Sequence, residues 1–322
     1  MSDLDASSPR WLAPSGRGHY ESYYLEAVRP GGGRALWLRC TANRRPGGST
    51  RGAVWASFVD AAQPRVVALQ QDELPLGTGN GAWIRCGDSV FTPTGTRGSV
   101  EAGRVASWEL AFSSDEPALF HLPQRWMYRA RLPRTKLVSP MPAVTVDGHL
   151  TINGRGVDIE GWRGVVGHNW GEQHAERWIW LHGVVGDGPH AGSWLDVAVA
   201  RIRVGGIVLP WTAFGAIRLD DQRLPLGGLT RRPTVRASPT ECRLVVTGDG
   251  IKVAASVGAP AHQLVRWDYL DPSGTRHPVS NCPTADLQLQ IERRGHSPVE
   301  LLLLGSGVYE HGSTSSLAAE SR

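Results

Sequence analysis

Residues 167–183, GHNWGEQHAERWIWLHG, form the densest group of side chains in the sequence that could do chemistry. They include three histidines, three tryptophans and two glutamates. A histidine titrates near neutral pH, and a carboxyl group among indole rings has its charged form disfavoured, so both can exchange protons with a substrate. Indole faces can also stabilise a developing cation. The stretch therefore predicts acid–base chemistry in an apolar pocket.

An extended backbone at the end of this stretch would sort its side chains onto two faces. Trp178, Trp180 and His182 would share one face, and Ile179 and Leu181 the other. The aliphatic face is typical of a hydrophobic core. Two indoles and an imidazole on the opposite face are typical of the lining of a ligand cavity.

A glycine-rich segment, residues 161–174, precedes this predicted strand. We expect its glycines to permit tight turns. Such turns would bring the side chains between them to the mouth of the cavity: His168, Asn169, Trp170, Glu172 and His174.

Two other interpretations of these residues stay open. Buried tryptophans and histidines can form a structural polar network without any catalytic role. Histidine and glutamate also ligate zinc or iron, and His168, Glu172, His174 and His182 are permissible ligands. The sequence has no H-x-H or H-E-x-x-H pattern, so we assign no metal ligands and keep a metal site only as a third hypothesis.

The rest of the chain predicts an all-β, antiparallel fold with few short helices. Alternating or short apolar runs predict strands at residues 35–40, 53–60, 105–112, 178–185, 193–204 and 213–220. Asp-Gly pairs at residues 147–148, 187–188 and 249–250 predict hairpin turns. At 322 residues we expect two barrels or sandwiches rather than one.

Two further elements are predicted from local composition. Residues 122–143 carry four prolines and five basic side chains, which predicts an extended segment crossing between the two halves. A short helix is expected near residues 56–63.

The composition excludes several classes of function. The net charge is +4, Lys136 and Lys252 are the only lysines, and the arginines are scattered among acids, so no basic patch for nucleic acid is expected. The N-terminus has no signal-peptide pattern, and no run approaches the ~18 apolar residues of a membrane span. Four widely spaced cysteines predict buried thiols in a reducing compartment. We therefore expect a cytoplasmic protein. Its expected partner is an apolar small molecule, and a protein that binds such a ligand could contact a membrane transiently.

The sequence resembles a known family at three places. Residues 161–171, GWRGVVGHNWG, are similar to the hydroxyneurosporene synthase (carotenoid 1,2-hydratase) group, together with the AttH-like proteins, tocopherol cyclase and certain fungal pericyclases. Residues 20–44 and 267–291 resemble the same group. The resemblance implies two tandem lipocalin-like β-domains with a hydrophobic pocket near their interface. We place the N-terminal domain at residues 1–172 and the C-terminal domain at residues 173–322.

The resemblance also assigns roles to individual residues. The family uses a His-x-Trp pair, matched by His168 and Trp170, and a later Tyr-x-Asp pair, in which Asp196 matches the acid. Trp194 stands where the family has tyrosine, which removes a hydroxyl that could position water. The resemblance implies that Asp196 protonates an alkene. Asp196 could instead be paired with an arginine, Arg201 or Arg203, and Glu172 or Glu176 could be the acid.

Together these observations predict cofactor-free, acid-catalysed hydration, cyclisation or isomerisation of an isoprenoid- or polyketide-like compound. We expect Asp196, His168 and Trp170 to be catalytic. We expect the substrate to be bound by Asn169, Glu172, His174, Trp178, Trp180, His182 and Trp194. A non-catalytic lipid or terpenoid carrier on the same fold is the alternative, and a histidine-ligated metal site is the third hypothesis.

Overall fold

The structure is a computed structural model that describes residues 5–13, 16–63, 66–79 and 81–314. Twelve strands form its first sheet: β1 (His19–Val28), β2 (Arg34–Arg44), β3 (Thr50–Asp60), β4 (Val67–Leu74), β5 (Leu76–Gly79), β6 (Ala82–Cys86), β7 (Ser89–Thr92), β8 (Gly95–Glu101), β9 (Val105–Ser113), β10 (Leu119–Phe120), β11 (Thr135–Ile152) and β12 (Arg155–Gly171). Their spatial order is β4-β3-β2-β1-β12-β11-β9-β8-β7-β6-β5, with β10 against β11, and the sheet is a nearly closed barrel.

A second sheet of ten strands follows in the sequence. Its strands are β13 (Arg177–Val184), β14 (Trp194–Arg201), β17 (Thr212–Leu219), β18 (Gln222–Gly227), β19 (Thr234–Ala237), β20 (Glu241–Thr247), β21 (Ile251–Gly258), β22 (Val265–Leu270), β23 (Arg276–Arg293) and β24 (Val299–Ser313). The order is β18-β17-β14-β13-β24-β23-β21-β20-β19, with β22 against β23, and the sheet forms a half-barrel. A separate hairpin pairs β15 (Arg203–Val204) with β16 (Ile207–Val208).

The predicted fold class is confirmed. The described residues include no α-helix, only two short 3-10 turns at Arg125–Tyr128 and Ala261–Gln263. No helix among the described residues is long and apolar enough to cross a membrane. The strands of the first sheet end at Gly171 and those of the second begin at Arg177. The division into domains at residue 172 stays a prediction.

Each sheet encloses its own hydrophobic core. Successive side chains of a strand point alternately into this core and out of it, and on β1 both faces are buried. On β1, Tyr23 and Leu25 belong to the core of the first sheet. Tyr24 points the other way and packs with Trp180 and Val308 of the second sheet. The alternation therefore produces a third buried layer between the sheets.

All six stretches predicted as strands lie in strands, with small shifts at their ends and one interruption at Ile202. Two of the three predicted Asp-Gly turns are also present. The pair at residues 147–148 is different, because it lies inside β11 at a register irregularity. The actual turn is formed by Asn153 and Gly154, which have φ angles of 49° and 79°.

Two other local predictions are wrong. Residues 56–60 belong to β3, where pairing with β2 and β4 on both sides overrides any local helical preference. Residues 122–143 do not cross between the halves. They form a 3-10 turn and then enter β11, which pairs with β12 in the first sheet. The chain passes to the second sheet at residues 172–176 instead.

The glycine-rich segment at residues 161–174 does not form the predicted turns. Gly164, Gly167 and Gly171 lie within the continuous strand β12. A Cβ at Gly167 would lie 2.0 Å from the ring of Tyr24, so this glycine provides the space in which that ring packs. The segment is glycine-rich because its neighbours approach closely.

Candidate active site

A cavity of about 360 Å³ lies in the layer between the two sheets. The first sheet contributes Tyr24, Trp37 and Arg39 to its wall, and the second contributes Trp178 and Trp180 among others. The sequence pattern predicted this arrangement of β13. Ile179 and Leu181 belong to the core of the second sheet, while the two indoles line the cavity.

The two indole rings are fixed by hydrogen bonds to carboxylates. Trp180 Nε1 donates to Asp196 Oδ1 over 2.8 Å, and Trp178 Nε1 donates to Glu310 Oε1 over 2.7 Å. Tyr269 also donates its hydroxyl to Glu310 at 2.9 Å. The aromatic wall is therefore held in place by polar groups at its back.

Asp196 is completely buried on β14, beside the cavity wall. Its Oδ2 accepts a hydrogen bond from Ser139 Oγ at 2.6 Å, and its Oδ1 lies 3.1 Å from His121 Nε2. Burial alone would raise the pKa of Asp196, but the charge and hydrogen bond of His121, with smaller effects from His182 and Ser139, lower it to about 2. The lowered pKa favours the ionised form of Asp196 at neutral pH. This argues against the role of proton donor that the resemblance implies for Asp196.

His121, which follows β10, pairs with Asp196 and contributes to the cavity wall. Its side chain is 1% exposed and lines the cavity wall. Its Nε2 faces Asp196, and its Nδ1 is buried with no hydrogen-bond partner among the described residues. An imidazole anchored on a carboxylate with its second nitrogen unused can take up or release a proton.

His121 could not be identified from the sequence. It stands alone in the stretch LFHLP, with no motif around it, and its partner is 75 positions away. Ser139 is missed for the same reason. Only the pairing of the strands brings these groups together.

His168 and Trp170 lie away from the cavity. His168 Nε2 is 2.7 Å from Glu21 Oε1, its Nδ1 is 2.7 Å from the carbonyl oxygen of Ala6, and its ring stacks on Tyr23 at 4.1 Å. Both of its nitrogens are therefore occupied, inside the first sheet. These contacts support a structural role, not a partnership with Asp196.

Trp170 is on the same side of β12 as His168. It packs in a cluster with Leu122, Met127 and Tyr128, and Arg10 lies 5.3 Å from its ring centroid. The predicted pair thus anchors the N-terminal segment to the first sheet.

The remaining predicted residues divide between the cavity and other places. Asn169 and His174 line the cavity together with the two indoles. Glu172 is partly exposed and lies 3.7 Å from Arg17. His182 is buried and hydrogen-bonds the carbonyl oxygen of Pro142 at 2.8 Å. Trp194 is buried with Leu119 and Ala216, apart from the cavity.

The geometry also bears on two alternatives from the sequence: Glu176 as the acid, and an arginine as the partner of Asp196. Glu176 pairs with Arg203 at 2.8 Å, and its hydrogen bond to this guanidinium lowers the pKa of Glu176. Arg201 donates to the carbonyl oxygen of Leu209. Asp196 is therefore bonded to neither arginine, and the ionised Glu176 is not a proton donor.

A second buried cluster joins His174 to the turn between β22 and β23. Asp271 Oδ1 lies 2.7 Å from His174 Nδ1, and Asp271 Oδ2 lies 2.8 Å from His277 Nε2. The outer nitrogens, His174 Nε2 and His277 Nδ1, have no partner among the described residues. Burial lowers the pKa of His174 to about 4, against the opposing effect of Asp271.

This cluster is the group of described residues that could hold a metal ion. Two imidazoles and a carboxylate suit zinc or iron. The ligands proposed from the sequence do not converge, because His168 and His182 are each bonded elsewhere. In the structure, Asp271 instead accepts hydrogen bonds from both rings.

Comparisons with known proteins place the chain by fold. No family model matches the sequence. Two uncharacterized proteins of Mycobacterium tuberculosis strains, MT0513 and Rv0493c, are each 26% identical over 313 residues, which cover 95% of this chain and 89% of theirs.

Three solved structures match nearly the whole chain at low sequence identity. An AttH-like protein of Nitrosomonas europaea is 13% identical, with a TM-score of 0.58 and 96% of each chain covered. CghA, solved with Sch210972, is 13% identical, with a TM-score of 0.59 and coverage of 93% of this chain and 90% of its own. Kievitone hydratase of Nectria haematococca is 12% identical, with a TM-score of 0.59 and coverage of 99% and 94%. The chain therefore has the fold of the AttH-like proteins and shares it with a hydratase.

Proposed function

We propose that the protein is an enzyme that hydrates, cyclises or isomerises an apolar, isoprenoid- or polyketide-like small molecule by acid–base catalysis in the inter-sheet cavity. The observation that carries the proposal is His121, which lines an aromatic cavity with one nitrogen on Asp196 and the other unpartnered. The proposed chemistry uses only side chains and requires no cofactor. The fold that the chain shares with kievitone hydratase supports this class of reaction.

His121 is the proposed proton carrier. In a hydration, the proton on Nδ1 of its imidazolium adds to one carbon of a polarised double bond. A water molecule bonds to the other carbon and returns one proton to Nδ1, so the enzyme ends in its starting state. In an isomerisation, Nδ1 removes a proton at one carbon and returns it at another.

Asp196 is the proposed positioning residue for His121. Its ionised carboxylate holds the imidazole by Nε2 and stabilises the positive charge that forms on the ring. Ser139 and Trp180 fix the carboxylate in turn. Trp178 and Trp180 would pack against the apolar body of the substrate and stabilise cationic character in the transition state.

The experiment starts with the ligand. Native mass spectrometry and organic extraction of the purified protein identify the compounds that co-purify with it. Their conversion and their affinity are then measured for the wild type, His121→Gln and Asp196→Asn.

We expect both substitutions to lower kcat about 10²–10⁴-fold while the Kd for the compound changes little. His168→Gln is the matched control, because it alters a buried histidine–carboxylate pair away from the cavity and should leave kcat within a few-fold. Binding without conversion in the wild type would contradict catalysis and establish the carrier alternative.

A further inference from the structure

Arg39 is a buried cation on the wall of the same cavity. It projects from β2 on the face opposite to the core residues Leu38 and Cys40, and it is 5% exposed. Its Cζ atom lies 4.2 Å from the ring centroid of Tyr269. An arginine remains protonated in proteins, so its charge is present even when it is buried.

The described residues supply Arg39 with aromatic faces but with no counter-ion. No described carboxylate oxygen lies within 4.0 Å of its guanidinium nitrogens, and Nε has no hydrogen-bond partner among the described residues. Glu310, on the same cavity wall, accepts hydrogen bonds from Trp178 and Tyr269 instead. Burying a charge without a partner is strongly unfavourable. A buried charged side chain is therefore expected to have a partner of opposite charge.

Glu26, the other buried carboxyl group in this layer, does not supply the missing charge. Both of its oxygens lack a hydrogen-bond partner among the described residues. Burial, reinforced by the charge of Glu310, raises the pKa of Glu26 well above its usual value. The raised pKa favours the neutral form of Glu26, and no described carboxylate of this layer contacts the guanidinium of Arg39.

We infer that the ligand provides this anion: the cavity takes an apolar compound that carries a carboxylate, which Arg39 binds. The planar guanidinium presents paired N–H donors that match the two oxygens of a carboxylate. The aromatic wall beside it, Trp37, Trp178 and Trp180, suits an apolar body. This inference rests on the proposed function, since it assigns a substrate class to the same cavity.

The test compares an acid with its own ester. cis-Parinaric acid and its methyl ester share one polyene chain and differ in the anionic group. Tryptophans line the cavity, so binding of either probe is followed by energy transfer from indole to polyene in equilibrium titrations. The wild type should bind the acid at least about tenfold more tightly than the ester, because a charge-assisted pair is lost in the ester.

Variants then assign the preference to Arg39. Arg39→Met should weaken acid binding about tenfold and leave ester binding unchanged, while Arg39→Lys should keep most of the preference. Arg232→Met is the matched control, because Arg232 also lines the cavity but is exposed, where water screens its charge. It should change either affinity less than about twofold.

Equal affinities of the wild type for acid and ester would overturn the inference without any variant. An acid preference that survives in Arg39→Met, or disappears in Arg232→Met, would overturn it as well. These outcomes are independent of turnover. A protein that prefers the acid but converts nothing would refute the proposed catalysis and keep the Arg39 assignment.

Discussion

At the scale of single residues, the ionised state of Asp196 decides which chemistry the cavity can support. A carboxylate with three hydrogen bonds and a pKa of about 2 holds its charge and releases no proton near neutral pH. In the proposed mechanism the proton donor is therefore His121, and an imidazolium is in general a weaker acid than a carboxylic acid. Such a donor suits double bonds polarised by a neighbouring carbonyl better than isolated alkenes. Compounds whose double bond is conjugated with a carbonyl group are therefore the first substrates to test.

His168 should matter for stability and not for turnover. Replacing it with glutamine breaks its contacts with Glu21 and with the carbonyl oxygen of Ala6, both in a buried region. We expect the free energy of unfolding to fall by about 2–4 kcal/mol, measured by urea denaturation. Tyr128→Phe, which removes the hydrogen bonds of the 3-10 turn to Leu122 and to Leu137 of β11, serves as a comparison and should cost less stability. An unchanged unfolding midpoint in His168→Gln would show that the network is not structural.

The residues predicted from sequence were those whose role follows from strand alternation. Trp178 and Trp180 reach the cavity because a strand places every second side chain on one face. The family resemblance pointed to Asp196 and, equally, to His168, and only tertiary contacts separate the two. His121 and Arg39 carry no local pattern. Their position depends on which strands meet, and that is not encoded in short spacings.

At the scale of elements, the pairing of β1 with β12 sets the shape of the cavity. Tyr24 faces Gly167 across this pair, and its ring also lines the cavity. The ring occupies the space that a side chain at Gly167 would need. The glycine-rich sequence thus determines the position of an aromatic wall, although its composition alone predicted turns.

Gly167→Ala should therefore disturb both stability and binding. The added methyl group overlaps the buried Tyr24 ring, and we expect a loss of about 1–3 kcal/mol in urea unfolding. Displacement of the ring into the cavity should also weaken binding of cis-parinaric methyl ester. Gly186→Ala is the control, since a Cβ there meets no atom within 4 Å. Equal stabilities of the two variants would refute the packing argument.

In the molecule as a whole, His174 connects the first sheet to the turn between β22 and β23. It lies in the passage between the sheets, its ring stacks on Tyr20 of β1 at 4.1 Å, and its Nδ1 bonds Asp271 of the second half. The all-β class and the apolar cavity could be predicted from alternation, turns and resemblance. This junction could not be predicted, because Tyr20, His174 and Asp271 come from separate regions of the chain.

His174 should make the molecule sensitive to mild acid. Its pKa falls from 6.5 in the unfolded chain to about 4 in the folded protein, chiefly through burial. Between these values the unfolded state binds a proton and the folded state does not, so stability is full above pH 6.5 and falls as the pH approaches 4. The loss should total about 3 kcal/mol, measured as urea midpoints across this range.

His174→Gln should flatten this dependence, because glutamine can keep a hydrogen bond to Asp271 but does not titrate. His149→Gln, which removes an exposed histidine paired with Asp158, should leave the slope unchanged. A slope that persists in His174→Gln would assign the acid sensitivity to another group.

Solvent deuterium incorporation tests whether His121 transfers a proton to the substrate. The compound identified by native mass spectrometry is incubated with the protein in deuterated water, and the mass of the product is followed over time. If the reaction is a hydration, the wild type should incorporate one deuterium at carbon with every turnover, His168→Gln should do the same, and His121→Gln should do so at least about 100-fold more slowly. Equal incorporation by the wild type and His121→Gln would show that His121 does not transfer the proton. No incorporation by the wild type while the compound is bound would show that the compound is not hydrated.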